Sequence, residues 1–177
     1  MKKWLSFLGA ITLLGTSTTS LVACNTPQYN EEELQQLKQE NQIYTNCQEI
    51  KENLEWICPQ EKPFNQVDNK WYYVVWKKDK WEINKIFRNY NINVNQEYII
   101  YKDNNYELKF FRGINKINKI QDTSLIYNSN NPFGFAQWGE RNSDYINYIK
   151  SVYRWNLDKE KPDLVVDIDG NVKVNGE

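Results

Sequence analysis

Histidine is absent from the 177 residues. Its absence removes the commonest general base and metal ligand, and with them every Ser-His or Cys-His nucleophile pair. Glycine is scarce, at 7 residues, which leaves no room for a Gly-rich phosphate loop of the usual kind. An excess of either charge is also missing: 22 Lys+Arg stand against 23 Asp+Glu, a net of -1. With no basic stripe, the composition argues against a dedicated nucleic-acid binder. The first apolar run is short of the roughly 20 residues that a membrane-spanning helix needs.

What is abundant is aromatic. Phe, Trp and Tyr make up 15 % of the chain, with 7 Trp and 12 Tyr. Mean hydropathy is nonetheless low, at -0.79, because Asn, Lys and Gln are frequent. Aromatic and β-branched residues run through the second half, so that half has the means to build a core.

The N-terminus has the organisation of a targeting signal. Lys2 and Lys3 form a positive head, and residues 4–14 form an apolar stretch of signal-peptide length. A more polar segment follows, and then Leu21-Val22-Ala23-Cys24. That tetrad has the form of a lipobox, with a branched aliphatic three residues before a Cys and a small residue next to it. It predicts cleavage before Cys24 and a diacylglyceryl group on the Cys24 thiol. Each buried CH₂ contributes about 0.8 kcal/mol, and two chains anchor stably where one is marginal. The expected location is the outer face of the cell membrane, held by lipid.

The leader (residues 2–25), the segment from Asn69 to Trp81 and the C-terminal residues 151–177 together resemble surface lipoproteins of wall-less bacteria, the spiroplasma lipoproteins in particular. The resemblance implies a location and an anchor. It carries over one functional position, Cys24, and no activity.

Behind the leader the expected organisation is a tether over residues 24–30, a helical stalk over 31–58 and a globular domain over 64–177. Glu31, Glu32 and Glu33 suit a helix N-terminus, and Asn30 is a plausible cap. Ile43, Cys47, Ile50, Leu54 and Ile57 are spaced 4, 3, 4, 3, an a/d stripe over about two heptads. The stripe predicts one long helix, either packed on its own domain or self-associating. In a continuous helix Cys47 and Cys58 stand about 16 Å apart, beyond the roughly 7 Å limit for a disulfide. A bridge therefore requires the helix to break, and otherwise the thiols are unpaired. Pro59 and Pro63 end the helical stretch.

From Phe64 the pattern becomes that of strands. Residues 71–76 and 81–87 flank a Lys-rich turn, and 97–101 and 106–111 flank Asp103-Asn104-Asn105, giving two hairpins. Ile114, Ile117 and Ile120 recur at a helical-turn spacing, and residues 125–127 suit a strand. Residues 128–139 read as a loop with Pro132 and two Gly. Asn142-Ser143-Asp144 suits a helix start, continuing through Tyr145 and Ile149 into a strand near Ser151. Asp169-Gly170 marks a last hairpin. The fold class expected is α+β: a long N-terminal helix, then a small antiparallel β domain with short helical segments.

No motif for catalysis, a metal or a cofactor emerges. Asp167, Asp169 and Asn171 alternate like the start of a calcium loop, but the required Gly would fall at Val172 and the chain ends before a bidentate Glu. A turn accounts for them better. Lys77, Lys78, Lys80, Lys85 and Arg88 read as a solvated hairpin edge. Arg141, Asp144, Arg154 and Asp158 have no spacing that assembles them. Two aromatic groups remain as candidate ligand-binding residues. Trp71, Tyr73 and Trp76 lie on a strand with aromatics on both faces, so an uncovered face would be a platform for a sugar or a protein. Phe133, Phe135 and Trp138 lie in the expected loop and either plug the core or form a binding tip. The function expected is non-catalytic interaction or adhesion at the cell surface, with a protein or glycan partner. The alternatives are capture of a small solute, which needs an aromatic-lined pocket, and a carboxylate-dependent hydrolase, which needs two facing carboxylates.

Overall fold

The computed structural model describes residues 29–114, 119–130, 132–140, 145–158 and 160–177. Helix α1 spans Glu31–Glu40. Asn30 Oδ1 accepts from Glu33 N at 2.9 Å and Glu33 Oε2 accepts from Asn30 N at 2.9 Å, a reciprocal capping box. The helix stops at Asn41 and buries no residue. Helix α2 is only Gln48–Asn53, and strand β1, Leu54–Trp56, follows it directly.

The long stalk helix is therefore replaced by two short helices, a linker and a strand, and the description α+β with a long N-terminal helix gives way to a mostly β molecule. The cause lies in competing bonds. Tyr153 Oη donates to the Asn41 carbonyl at 2.8 Å, and Thr45 Oγ1 accepts from Cys47 N at 3.0 Å, so the backbone between the helices has partners other than its own turns. Residues 54–56 are then recruited by a sheet edge.

Nine further strands follow: β2 (Trp71–Lys77), β3 (Trp81–Phe87), β4 (Glu97–Lys102), β5 (Tyr106–Ile114), β6 (Gln121–Asn130), β7 (Phe133–Gln137), β8 (Ile149–Trp155), β9 (Leu164–Val166) and β10 (Val172–Val174). Short 3-10 turns occur at Pro63–Asn65 and Tyr145–Asn147. The first sheet has the order β1-β8-β2-β3, the second is the meander β4-β5-β6-β7, and β9 and β10 form a separate hairpin. Every pairing is antiparallel.

The first sheet is covered on both faces. On one side Tyr72, Val74, Trp76 and Val152 meet Leu108, Phe110, Leu125 and Tyr127 of the second sheet. On the other, Tyr73, Val75, Tyr153 and Trp155 meet Ile50 of α2 and Leu164 and Val172 of the hairpin. This explains the unbroken run Tyr72 to Trp76, all fully buried. A strand covered on both faces has no position left for a polar alternation. Burying each large apolar side chain contributes about 1.5–3 kcal/mol. The polar atoms of these aromatics are satisfied locally: Trp76 Nε1 donates to Asn84 Oδ1 at 2.6 Å, and Tyr73 Oη to the Pro162 carbonyl at 2.7 Å. Both cores draw on the stretch that the domain boundary at residue 64 would leave out, through Ile50 and Ile57. Residues 25–177 hold every described strand and both cores.

Other expectations are corrected. Residues 128–139 are not a loop: β6 runs on to Asn130 and β7 follows Pro132. Ile149 and Val152 belong to β8, and only the 3-10 turn Tyr145–Asn147 precedes it, so the short helix running into Ser151 is absent there. Its expected start at residues 142–144 lies outside the described residues, as does Ile117. Cys47 and Cys58 are unpaired. The leader and Cys24 also lie outside the described residues. Among the described residues no helix is long and apolar enough to cross a membrane.

Candidate binding surface

Among the described residues, the outward face of the second sheet has no core packed against it. Its rows follow from the register. Phe135 stands beside Asn128, which stands beside Glu107, which stands beside Lys102. One row over, Gln137, Ile126, Lys109 and Ile99 align in the same way. The face therefore grades from apolar and neutral at β7 to charged at β4.

The charged half is ordered. Glu107 accepts from Lys102 Nζ at 2.7 Å, from Lys109 Nζ at 2.5 Å and from Asn128 Nδ2 at 3.1 Å, and Lys109 also reaches Glu97 at 2.8 Å. The two lysines and the amide hold the Glu107 carboxyl down at about 2. At the adjoining turn Asp103 accepts from the backbone N–H of Asn105 and Tyr106, each at 2.8 Å, and from Tyr101 Oη at 2.6 Å. These bonds depress its pKa, led by the Tyr101 hydroxyl.

The neutral half is built by β7 and its turn. Ser129 Oγ donates to the Pro132 carbonyl at 2.7 Å, closing the β6–β7 connection. Asn130 N donates to the Asn105 carbonyl at 2.8 Å, tying that connection to the β4–β5 turn. Gly134 is needed here for close approach: a Cβ would stand 2.8 Å from Ser129 Oγ and 3.1 Å from the Tyr148 ring. Tyr148 stacks on Tyr127 at 4.7 Å and forms the floor below the strand. On this support Phe133 is 87 % exposed and Phe135 52 % exposed, side by side on one face of β7. A depression of about 300 Å³ lies at the foot of Phe133, lined also by Lys102, Asp103, Glu107, Asn128 and Asn130.

The six aromatic candidates thus separate. Tyr73 and Trp76 are 0 % exposed, on opposite faces of β2, so the expected aromatic platform does not exist. Trp71 is half-buried against the second core, its ring 4.1 Å from Lys161 Nζ and 5.0 Å from Phe87. Trp138 plugs the first core beside Phe64. Phe133 and Phe135 alone form a surface tip. Residue spacing in the sequence missed Glu107, Lys102 and Asn128, which only the strand register brings beside them. The alternation of Phe133 and Phe135 was the available signal for a strand, obscured by the neighbouring Pro132 and Gly134.

Other constellations resolve into structural contacts. The lysines of the β2–β3 hairpin are dispersed: Lys78 lies over Tyr101 at 4.4 Å, Lys85 pairs with Asp163 at 3.2 Å and Lys77 lies over Trp81 at 5.5 Å. Arg88 is fully buried, donating to the carbonyls of Tyr90 and Phe64, and desolvation lowers its pKa. In the β9–β10 turn Asp167 accepts from the N–H of Asp169 and Asn171 at 3.0 and 2.9 Å. Lys150 Nζ meets the Asp169 carbonyl at 2.6 Å and Asn171 Oδ1 at 2.8 Å, placing an ammonium among the oxygens a cation would need. Among the described residues no cluster of three or more His, Cys, Asp or Glu could hold a metal.

Arg154 pairs with Glu55 at 2.7 Å, and Asp158 with Lys70 at 2.6 Å, while Arg141 and Asp144 lie outside the described residues. Burial raises the pKa of Glu61, with Glu55 adding to it, yet Glu55 is engaged by Arg154 and by Asn156 Nδ2 at 3.1 Å. Neither carboxylate lines the depression by Phe133 or a second one of about 400 Å³ between α1 and the β9–β10 turn. The first lining holds Tyr106 and Phe133 and the second Trp81 among more numerous polar residues, so neither is the aromatic-lined pocket that solute capture calls for. No family model, curated protein or solved structure matches the chain.

Proposed function

We propose that this is a lipid-anchored protein of the outer cell surface, tethered through Cys24, that binds a protein or glycan partner through the β7 tip. One observation carries the reading: Phe133 and Phe135 sit exposed together on a braced strand, whereas the other aromatic candidates serve the cores. Scattered single apolar side chains, such as Ile168 at its turn, need no such account. Two adjacent rings on a rigid support desolvate readily against a partner and lose little side-chain freedom on binding. The neighbouring Asn128, Glu107 and Lys102 supply oriented polar groups at the rim. Binding, with no chemical step, is what these residues offer, since Glu107 is locked in ion pairs.

The test is capture of surface extracts and glycan arrays by residues 25–177, comparing the natural chain with the double variant Phe133→Ala/Phe135→Ala. The proposal expects a saturable partner lost in the double variant while its thermal unfolding is unchanged. Equal capture by both proteins would overturn the assignment of the site.

A further inference from the structure

The depression at the foot of Phe133 lies where the β4–β5 turn meets the β6–β7 connection. The two are tied together there: Asn130 N donates to the Asn105 carbonyl at 2.8 Å and Asn130 Nδ2 to the Asn104 carbonyl at 3.2 Å. Lys102, Asn105, Asn130 and Phe133 are exposed at the depression, whereas Tyr106, Ser129 and Gly134 of its lining are buried. Its volume of about 300 Å³ stands at the lower end of ligand sites, which run from about 300 to 1,000 Å³. Room of that size suits one ring-sized unit of a ligand.

The carboxylates of the depression are already engaged. Lys102 and Lys109 pair with Glu107. Asp103 is held by two backbone N–H groups and the Tyr101 hydroxyl. An ionic ligand would have to displace these partners. What remains is hydrogen-bonding capacity at fixed positions. Asn128 gives Nδ2 to Glu107 and Asn130 gives Nδ2 to the Asn104 carbonyl, so both keep Oδ1 as an acceptor. Lys102 gives one N–H to Glu107 and keeps two. Asn105 adds a third carboxamide. Beside these polar groups stands the exposed ring of Phe133. A ligand that matches this lining needs a face of C–H groups for the ring and several hydroxyls at its edge for the amides and the ammonium. A wholly apolar ligand would leave the amides without partners.

We propose that this depression binds one neutral pyranose unit of a surface glycan, with its C–H face on Phe133 and its hydroxyls on Asn105, Asn128, Asn130 and Lys102. The assignment rests on the reading of the β7 tip as a docking surface and names its partner as a glycan. A pyranose presents both chemistries at once, axial C–H groups on a face and hydroxyls around the edge. Its hydroxyls donate to the amide oxygens and accept from the Lys102 ammonium. The two exposed rings of the tip have different shares. Phe133 lines the depression and carries the stacking, whereas Phe135 stands outside the lining.

The test uses the full chain in a zwitterionic, sugar-free detergent. Saturation-transfer NMR is recorded with the methyl glycosides of glucose, galactose, mannose and N-acetylglucosamine, and with those of the anionic glucuronic and N-acetylneuraminic acids. At least one neutral glycoside, a ligand of about a dozen heavy atoms, should saturate with a Kd of about 1–10 mM. The strongest transfer should fall on the C–H protons of one ring face, and the anionic glycosides should bind more weakly. Phe133→Ala should weaken binding about three- to tenfold, Phe133→Trp should retain it, and Phe135→Ala should leave it unchanged. No saturation by any neutral glycoside up to roughly 50 mM, or equal loss in Phe133→Ala and Phe135→Ala, or an anionic glycoside bound as tightly as any neutral one, would overturn the sugar site. In that event the double variant Phe133→Ala/Phe135→Ala separates two failures. If it still abolishes capture of a surface protein, only the sugar assignment fails. If it leaves capture unchanged, the docking tip fails with it.

Discussion

At the scale of single residues, two classes of apolar side chain differ in what they do. Leu108 is wholly enclosed by the first core. Leu108→Ala should cost about 2–5 kcal/mol, through lost transfer energy and a residual cavity. Chemical denaturation measures it. Phe133→Ala should stay within about 0.5 kcal/mol, as surface substitutions do, and a larger loss would mean that the ring packs against something. Glu107 sets an acid limit. Its folded pKa lies at about 2, below the ordinary 4.5, so its ion pairs stabilise the fold above the unfolded value. That contribution disappears as the pH falls from about 4.5 to about 2. Glu107→Gln should therefore lose stability at pH 7, by about 1 kcal/mol or less for a screened pair, and show a shallower decline across that window. Identical pH profiles would remove the ladder from the account.

At the scale of elements, what the sequence disclosed depended on whether the local pattern and the tertiary partners agreed. β2 and β3 were legible because β-forming side chains, a polar turn and real pairing coincide at Trp71 to Phe87. The β9–β10 turn was legible because Gly170, at φ 77°, is the residue that such a turn requires. The stalk was not. Ile50 and Ile57 are both buried, as their spacing implied, but they enter different cores on opposite sides of the first sheet. One helix face cannot reach both, and no periodicity reveals that. β7 was hidden because Gly134 looks like a breaker when its true role is clearance for Ser129 and Tyr148. Gly134→Ala should accordingly destabilise by roughly 1–3 kcal/mol through overpacking and displace the Phe133 and Phe135 tip. Unchanged unfolding and unchanged tip function in this variant would show that the close approach is not limiting.

At the scale of the whole molecule, the described residues form a three-layer β structure whose second sheet has a face without a core packed on it, preceded by α1. α1 buries none of its residues, whereas Ile50 of α2 belongs to the second core. A chain beginning at Asn41, which keeps the acceptor for Tyr153, should lose less than about 1 kcal/mol. Thermal unfolding of the shortened chain tests this, and a loss comparable to a core deletion would make α1 part of the fold. The most direct measurement uses the full chain on intact cells, with a photo-reactive side chain placed at position 133 and, separately, at Ile168, which is 90 % exposed on the β9–β10 turn. The account predicts discrete cross-linked species from position 133 and none from position 168. No cross-link at 133, or the same products from both positions, would contradict it.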